Sequence, residues 1–408
     1  MVNSIYLIFV DVFLSFLKSV NGCHMHKNNL VTIFPNTQNF HLTKDVGQIC
    51  LNLARHLKLK PTILTYKNDQ QYDAIKQEVK GLHLAFIKNP LLIKWLDFKV
   101  IFYLIKNARN IALLNVYHPS IESKFYCILY KLLNRKGIAY MKLDLDIEYE
   151  KKLIAKKDSR GFLNRRILNS YENLFNRLVD YVSVETNEGL QLLTENDKYP
   201  LKKLIKVSNG VDSKYINEHF GEVNFNQKEN IIITVGRLGV EQKNTKLLLD
   251  ALEKTNLHGW KVYLIGPVEK TFQCDIDNFY KNNPHHVNNV IFVGATSDRS
   301  QLMAYYKQAK IFILSSNYEG FPLVFPEALH FGNYIISTQV SGAQDITKNG
   351  VLGSLTKIGC VKELASAITE KISSDISELE FEQILKHSEQ YFTWDACLHE
   401  LVGKINVS

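Results

Sequence analysis

The chain has 408 residues, 46% of them hydrophobic and 22% charged, long enough to split into two globular domains and too apolar to stay disordered. Its net charge of +8 points to a partner carrying negative charge, a phosphate or an anionic membrane surface; no recognition module accompanies the charge, which sets nucleic acid aside. Six cysteines stand singly with no CxxC pair, which argues against a zinc ribbon or a disulfide framework and fits a reducing cytoplasm.

The first predicted element lies within residues 1–28. Its apolar run, residues 5–17, is interrupted by Asp11 and is shorter than the roughly 20 residues a spanning helix needs. No Lys or Arg precedes the run and no clear small-residue cleavage site follows it, so a secretory signal fits poorly. The expectation is an amphipathic helix, either docked on the protein or lying in a membrane interface. Cys23-His24-Met25-His26 carries metal-ligating side chains, but structural zinc sites draw on a second ligand cluster and the sequence offers none.

Short β-branched or aromatic runs then alternate with longer helical stretches, at residues 30–34, 62–66, 83–87, 111–116, 138–143 and 181–184. This alternation predicts parallel βαβ units. Before the last run, "KKLIAKKDSRGFLNRRILNSYENLFNR" (151–177) reads as a basic helical segment with Phe162, Leu163, Ile167 and Leu168 interleaved. It suits equally a solvated face over a core stripe and a face resting on anionic lipid.

The pattern restarts after the loop Ser208-Asn209-Gly210-Val211-Asp212 and the polar stretch 217–230, with runs at 231–235, 262–265, 290–293, 311–314 and 334–337. The expected fold class is α/β: two Rossmann-like, doubly wound domains, 1–208 and 230–385, joined by a linker at 209–229 and followed by a C-terminal helix in 386–408 that crosses back to the first domain. Ligands of such sheets bind at the carboxyl ends of the strands, so two facing sheets make a cleft lined by loops of both.

Two stretches at strand ends carry the chemistry. In "SSNYEGFPLVFPEALHFGN" (315–333) the prolines put a helix start near Pro322 to Pro326, with Glu319 in the preceding turn and Glu327 early on the helix. Gly320 lets backbone approach a ligand, and the amides at the helix start suit a phosphate or sugar oxygen. Taken alone, the two carboxylates either complement the helix dipole or accept hydrogen bonds from hydroxyls. In "GRLGVEQKNTKLLLDALEK" (236–254), Arg237 and Lys243 fall between a strand and an amphipathic helix, where a guanidinium fork and an ammonium can hold a diphosphate.

"GRLGVEQKN" followed by "YEGFPLVFPEAL" resembles the donor-binding half of retaining GT-B glycosyltransferases of the family 4 or group 1 type, whose pattern is a Glu, seven residues and a second Glu. The resemblance covers residues 231–355, including "VYLIGP" and "VIFVGATSDRSQLMAYYKQAKIFILSS"; "KDVG", "LLNVYHPS", "YMKLDLD" and "VSVET" extend it less specifically into the first half. It implies that Arg237 and Lys243 bind the donor diphosphate, that Glu327 binds the ribose hydroxyls and that Glu319 holds hydroxyls of the transferred sugar. It also implies that backbone at Gly320, Phe321, Pro322 and Leu323 touches sugar and phosphates, and that Gly266 and Gly294 border the nucleobase.

His118, after the run 111–116, either contacts the sugar, assists the acceptor or is a structural histidine. Lys44, Asp45 and Gly47 are acceptor-side or loop candidates, although the double-glycine loop common in relatives is missing from residues 34–44. Asp144-Leu145-Asp146 matches a metal-binding DxD of another glycosyltransferase fold, but the two cations already neutralise a diphosphate. Neither metal nor other cofactor is expected.

The implied function is retaining transfer of a sugar from a nucleotide diphosphate sugar, a UDP-sugar in expectation, to a glycan or lipid-linked acceptor of surface polysaccharide. The expected location is the cytoplasm, peripheral on the inner face of the cell membrane. The rival readings are a non-catalytic sugar- or nucleotide-binding partner subunit and another enzyme of this fold, such as a sugar-nucleotide epimerase.

Overall fold

The structure, a computed structural model, describes residues 28–88, 91–93, 96–155, 162–296 and 298–405. The helix expected in 1–28, the Cys23-His24-Met25-His26 cluster and residues 156–161 of the basic segment fall outside these. The strands are β1 (Asn29–Ile33), β2 (Lys60–Thr65), β3 (His83–Phe86), β4 (Leu92–Ile93), β5 (Leu96–Asp97), β6 (Ile111–Tyr117), β7 (Ile138–Lys142), β8 (Tyr181–Val184), β9 (Leu204–Lys206), β10 (Glu229–Val235), β11 (Lys261–Ile265), β12 (Val290–Gly294), β13 (Ala309–Leu314), β14 (Tyr334–Thr338) and β15 (Gly353–Thr356). β4 and β5 form a small antiparallel hairpin.

The others form a seven-stranded sheet, β3-β2-β1-β6-β7-β8-β9, and a six-stranded sheet, β12-β11-β10-β13-β14-β15. Every pair of the six-stranded sheet is parallel, as are β1–β2, β2–β3, β1–β6 and β6–β7 of the other. Both orders reverse direction once, between β1 and β6 and between β10 and β13. At such a switch point the flanking loops part and leave a crevice at the carboxyl ends. The chain divides into two compact units, residues 1–142 with 160–182 and 405–408, and residues 143–159 with 183–404.

In the first unit, β6 is buried along its whole length, which explains its almost unbroken apolar sequence, Ile-Ala-Leu-Leu-Asn-Val-Tyr. Its one amide, Asn115, donates to the Thr32 hydroxyl on β1 at 3.3 Å. In the second unit the strand period sorts side chains onto two faces. Ile311 and Ile313 of β13 enter one core with Leu247, Leu248, Phe279 and Ile368; Phe312 and Leu314 enter the other with Tyr306, Phe325, Leu329 and Ile384.

The helix Val324–His330 begins two residues after Pro322 and carries Pro326 in its first turn. His330, in its last turn, meets the Asn217 side-chain oxygen through Nε2 at 3.1 Å, and burial pushes its pKa down to about 4. A folded-state pKa below the unfolded value of about 6.5 means that the unfolded chain binds more protons between the two. Stability conferred by neutral His330 is therefore present above pH 6.5 and is lost as pH falls towards 4, by up to about 3 kcal/mol. Urea titrations at pH 7 and pH 4 are expected to differ less in His330→Gln than in wild type; an identical pH dependence would refute the assignment.

Candidate functional site

The carboxyl ends of β10, β11 and β12 meet through glycine backbone. Gly236 N donates to Ile265 O at 3.0 Å, Gly266 N to Gly294 O at 2.9 Å, and Leu238 N to Pro267 O at 2.8 Å. Gly266 has φ +141° and Gly294 φ +83°. A Cβ on Gly266 would overlap the Gly236 carbonyl oxygen, so the close approach of these strand ends requires glycine there. The two glycines expected to border a nucleobase thus lie at the strand ends beside the Gly236-Arg237 turn.

The loop 236–244 is tied to the loop after β13 by a dense set of bonds. Asn317 N donates to Gln242 O at 2.8 Å and Asn317 Nδ2 to Glu241 O at 2.8 Å. Ser315 Oγ donates to Lys243 O and Asn244 O, and Asn244 Nδ2 donates to Asn317 Oδ1 at 2.9 Å. β10 and β13 are neighbours at the switch point, so their following loops start side by side. The Lys243 stem lies over Gly236, where a Cβ would come within 3.3 Å of its Cε. A recess of about 260 Å³, open solvent included, lies at this junction, lined by Thr234, Gly236, Lys243, Thr245, Leu314 and Ser315.

Glu319 is the centre of the site. Its Oε1 accepts from Lys243 Nζ at 2.5 Å and from Ser316 Oγ at 2.7 Å, and its Oε2 from Gln242 Nε2 at 3.1 Å. Gln242 Oε1 in turn accepts from exposed Arg237 Nη2 at 3.2 Å. The carboxylate is 7% exposed and the lysine 18%, so the pair is screened by water much less than a surface pair would be. The resemblance implies that Lys243 and Glu319 meet different parts of a ligand; here they hold each other, with Gln242 linking them to Arg237. Gln242 and Ser316 were not singled out from the sequence, because a Gln and a Ser in loops carry no local signal of what they face.

Glu327 sits in the first turn of Val324–His330 and accepts from Arg299 Nη1 at 3.0 Å and from Tyr306 Oη at 3.0 Å. Burial, and then the charge and hydrogen bond of Glu327, hold the Tyr306 phenol well above its usual pKa, so it remains a donor. Phe321 and Pro322 are buried, and the Phe321 ring stacks on Phe392 at 6.0 Å. The Phe321 carbonyl accepts from Asn209 Nδ2 at 3.1 Å, while Leu323 caps the helix and Gly320 stays half-buried between Glu319 and Phe321. Val211 of the same Asn209–Asp212 segment pairs with Thr393, ahead of the helix Trp394–Lys404.

The first unit holds the remaining candidates. His118 follows β6 with φ +60°, exposed, its N–H on Lys142 O at 3.0 Å and its ring 6.4 Å from that of Phe34. Asp45 begins the helix Asp45–Leu57 and its Oδ2 lies 3.4 Å from Nζ of fully buried Lys142. Lys44 Nζ stands 4.6 Å over the Phe40 ring, and Gly47 lets its helix press against the Leu42 backbone. Asp45 and Gly47 thus have structural contacts of their own. In the second unit, Asp146 caps the helix Ile147–Ala155 by accepting from Tyr149 N at 3.0 Å, and Asp144 lies against Gly320.

Residues 216–387 match the family model for glycosyl transferases group 1. Lipopolysaccharide 1,6-galactosyltransferase of Salmonella typhimurium is 30% identical over 152 residues, covering 36% of this chain and 41% of that one. The GalNAc-alpha-(1->4)-GalNAc-alpha-(1->3)-diNAcBac-PP-undecaprenol alpha-1,4-N-acetyl-D-galactosaminyltransferase of Campylobacter jejuni is 29% identical over 199 residues, covering 47% and 52%. The chain spans about half the length of these curated relatives. Anabaena HepE in complex with UDP has the same fold, with a TM-score of 0.65 at 16% identity over 92% of this chain and 98% of that one. The chain has the GT-B fold, and its residues 216–387 are similar to the glycosyl transferases group 1 model.

Proposed function

We propose that the protein is a retaining, family 4 glycosyltransferase that moves a hexose from a UDP-sugar to a glycan or lipid-linked acceptor in surface polysaccharide synthesis. The observation that carries this reading is the junction of Arg237, Gln242, Lys243 and Glu319 at the carboxyl ends of β10 and β13. The match to the group 1 model supports it, as do the names of relatives that act in lipopolysaccharide synthesis and on a lipid-diphosphate-linked glycan.

In this reading residues 230–385 bind the donor and residues 1–208 serve the acceptor side. Arg237 and Lys243 meet the charge developing on the departing diphosphate with fixed positive charge, so the step needs no metal ion. A diphosphate entering beside Arg237 competes with Glu319 for the Lys243 ammonium. The carboxylate so released accepts hydrogen bonds from hydroxyls of the sugar, with the backbone of Gly320 to Leu323 alongside it. The acceptor hydroxyl attacks the anomeric carbon from the face the diphosphate leaves, and its proton passes to the departing phosphate oxygen. His118 serves sugar or acceptor, and Lys44 with Asp45 the acceptor side.

Among the described residues no helix is long and apolar enough to cross a membrane. We assign the protein to the cytoplasm, peripheral on the inner face of the membrane. The exposed Tyr149, Leu153 and Ile154 beside Lys151 and Lys152 support a contact with anionic lipid.

The test is a panel of UDP-, GDP- and ADP-sugars, read by thermal unfolding and then by turnover with EDTA present. At a hundredfold excess over Kd the cognate donor is expected to add about 2.7 kcal/mol of stability. Transfer should proceed with the α or β configuration of the donor kept in the product. A protein that binds none of these donors, or that binds one and never turns it over, is not this enzyme.

A further inference from the structure

Glu327 is held from two directions by one helix. Arg299 opens the helix Arg299–Gln308 and Tyr306 follows seven residues later, two turns on, so both side chains leave the same face. Arg299 Nη1 binds Glu327 Oε1 and Tyr306 Oη binds Oε2, each at 3.0 Å. Tyr306 is the firmer anchor. Tyr306 is fully buried, its ring stacked between Phe312 at 6.1 Å and Phe331 at 6.0 Å. Its carbonyl accepts from Asn333 Nδ2 at 2.9 Å and Lys228 Nζ at 3.2 Å. The helix start is fixed by Asp298, which accepts from Ser300 N at 2.8 Å.

The terminal torsion of a glutamate is broad, so a carboxylate held at one oxygen can swing its plane. Held at both, it cannot. An ionised carboxylate offers about four lone-pair positions, and the two anchors use one on each oxygen. One position on each oxygen remains, in a fixed plane, on a side chain still 13% exposed. Two parallel acceptors of that kind match two vicinal hydroxyls, as a bidentate pair matches two parallel donors.

We propose that Arg299 and Tyr306 are positioning residues that fix the plane of the Glu327 carboxylate, so that it meets together the two ribose hydroxyls that the resemblance assigns to it. This rests on the donor reading of the site and adds to it which side chains confer the sugar selectivity. Neither residue touches the ligand; each acts through the Glu327 carboxylate. Arg299 also sets a positive charge beside that carboxylate.

The experiment is calorimetric titration of the full chain with whichever of UDP, GDP and ADP binds tightest, and with its 2′,3′-dideoxy counterpart. Wild type is expected to prefer the ribonucleotide at least about tenfold, since a lost hydrogen bond to a charged group is worth that much or more. Arg299→Met and Tyr306→Phe should each cut that preference several-fold while binding of the dideoxy nucleotide stays near the wild-type value. Arg299→Lys should recover part of the preference, because one cation is kept and the fork is lost. A purely structural role would weaken both nucleotides alike, and that result overturns the inference, as does an undiminished preference in both variants. Wild type that binds none of the nucleotides overturns the donor reading itself.

Discussion

Lys243→Met is expected to lower kcat for sugar transfer by on the order of 10²–10³-fold, the cost typical of removing one fixed donor aimed at developing negative charge. Methionine keeps most of the apolar stem that packs over Gly236, so the change isolates the ammonium. Glu319 loses its cation but retains donors from Ser316 and Gln242. The destabilisation should therefore stay below the 3–5 kcal/mol, roughly, that follows from stranding a buried charge outright. Circular dichroism and thermal unfolding report the fold, and single-turnover rates at saturating donor report the chemistry. A variant that turns over within threefold of wild type would remove Lys243 from the departing diphosphate.

Gly266→Ala is the expected largest loss of stability from a single methyl group. Its Cβ overlaps the Gly236 carbonyl oxygen, and its φ of +141° lies where side chains are strained whatever the space. Backbone strain of about 1–3 kcal/mol and overpacking of about 1–3 kcal/mol act on the same atoms. Relief would require β10 and β11 to part at their carboxyl ends, which also moves Arg237. Gly294→Ala is the matched control, because its φ is also positive, +83°, but a Cβ there meets nothing within 4 Å. Urea unfolding should separate the two by at least about 1 kcal/mol; equal losses would mean that the close approach at Gly236 is not what requires glycine.

Strands of both sheets were legible where a short, mostly apolar run of four or more residues stands between helical stretches. Those the sequence reading passed over lack such a run. β9 has three residues, β15 is Gly-Ser-Leu-Thr, and the β4–β5 hairpin has two residues a side. Strands this short are recognised by the partner that completes their ladder and by little of their own composition. Pro322 and Pro326 did announce the helix that carries Glu327, because proline acts on local backbone alone.

By itself the sequence determined the doubly wound α/β class, the restart of the pattern after residue 208, and the places of Arg237, Lys243 and Glu319 in loops after strands and of Glu327 at a helix start, since hydrophobic period, turn residues and helix starts are properties of a few neighbouring positions. Only the tertiary structure decided which charges meet. Lys243 reaches Glu319 across 76 positions because β10 and β13 are adjacent; Glu327 is held by a helix 28 and 21 positions earlier; Asp45 is paired with a lysine buried at the end of β7. The order of strands in a sheet follows from the packing of the whole domain, and Coulomb attraction falls off over distances shorter than any spacing along the chain can specify.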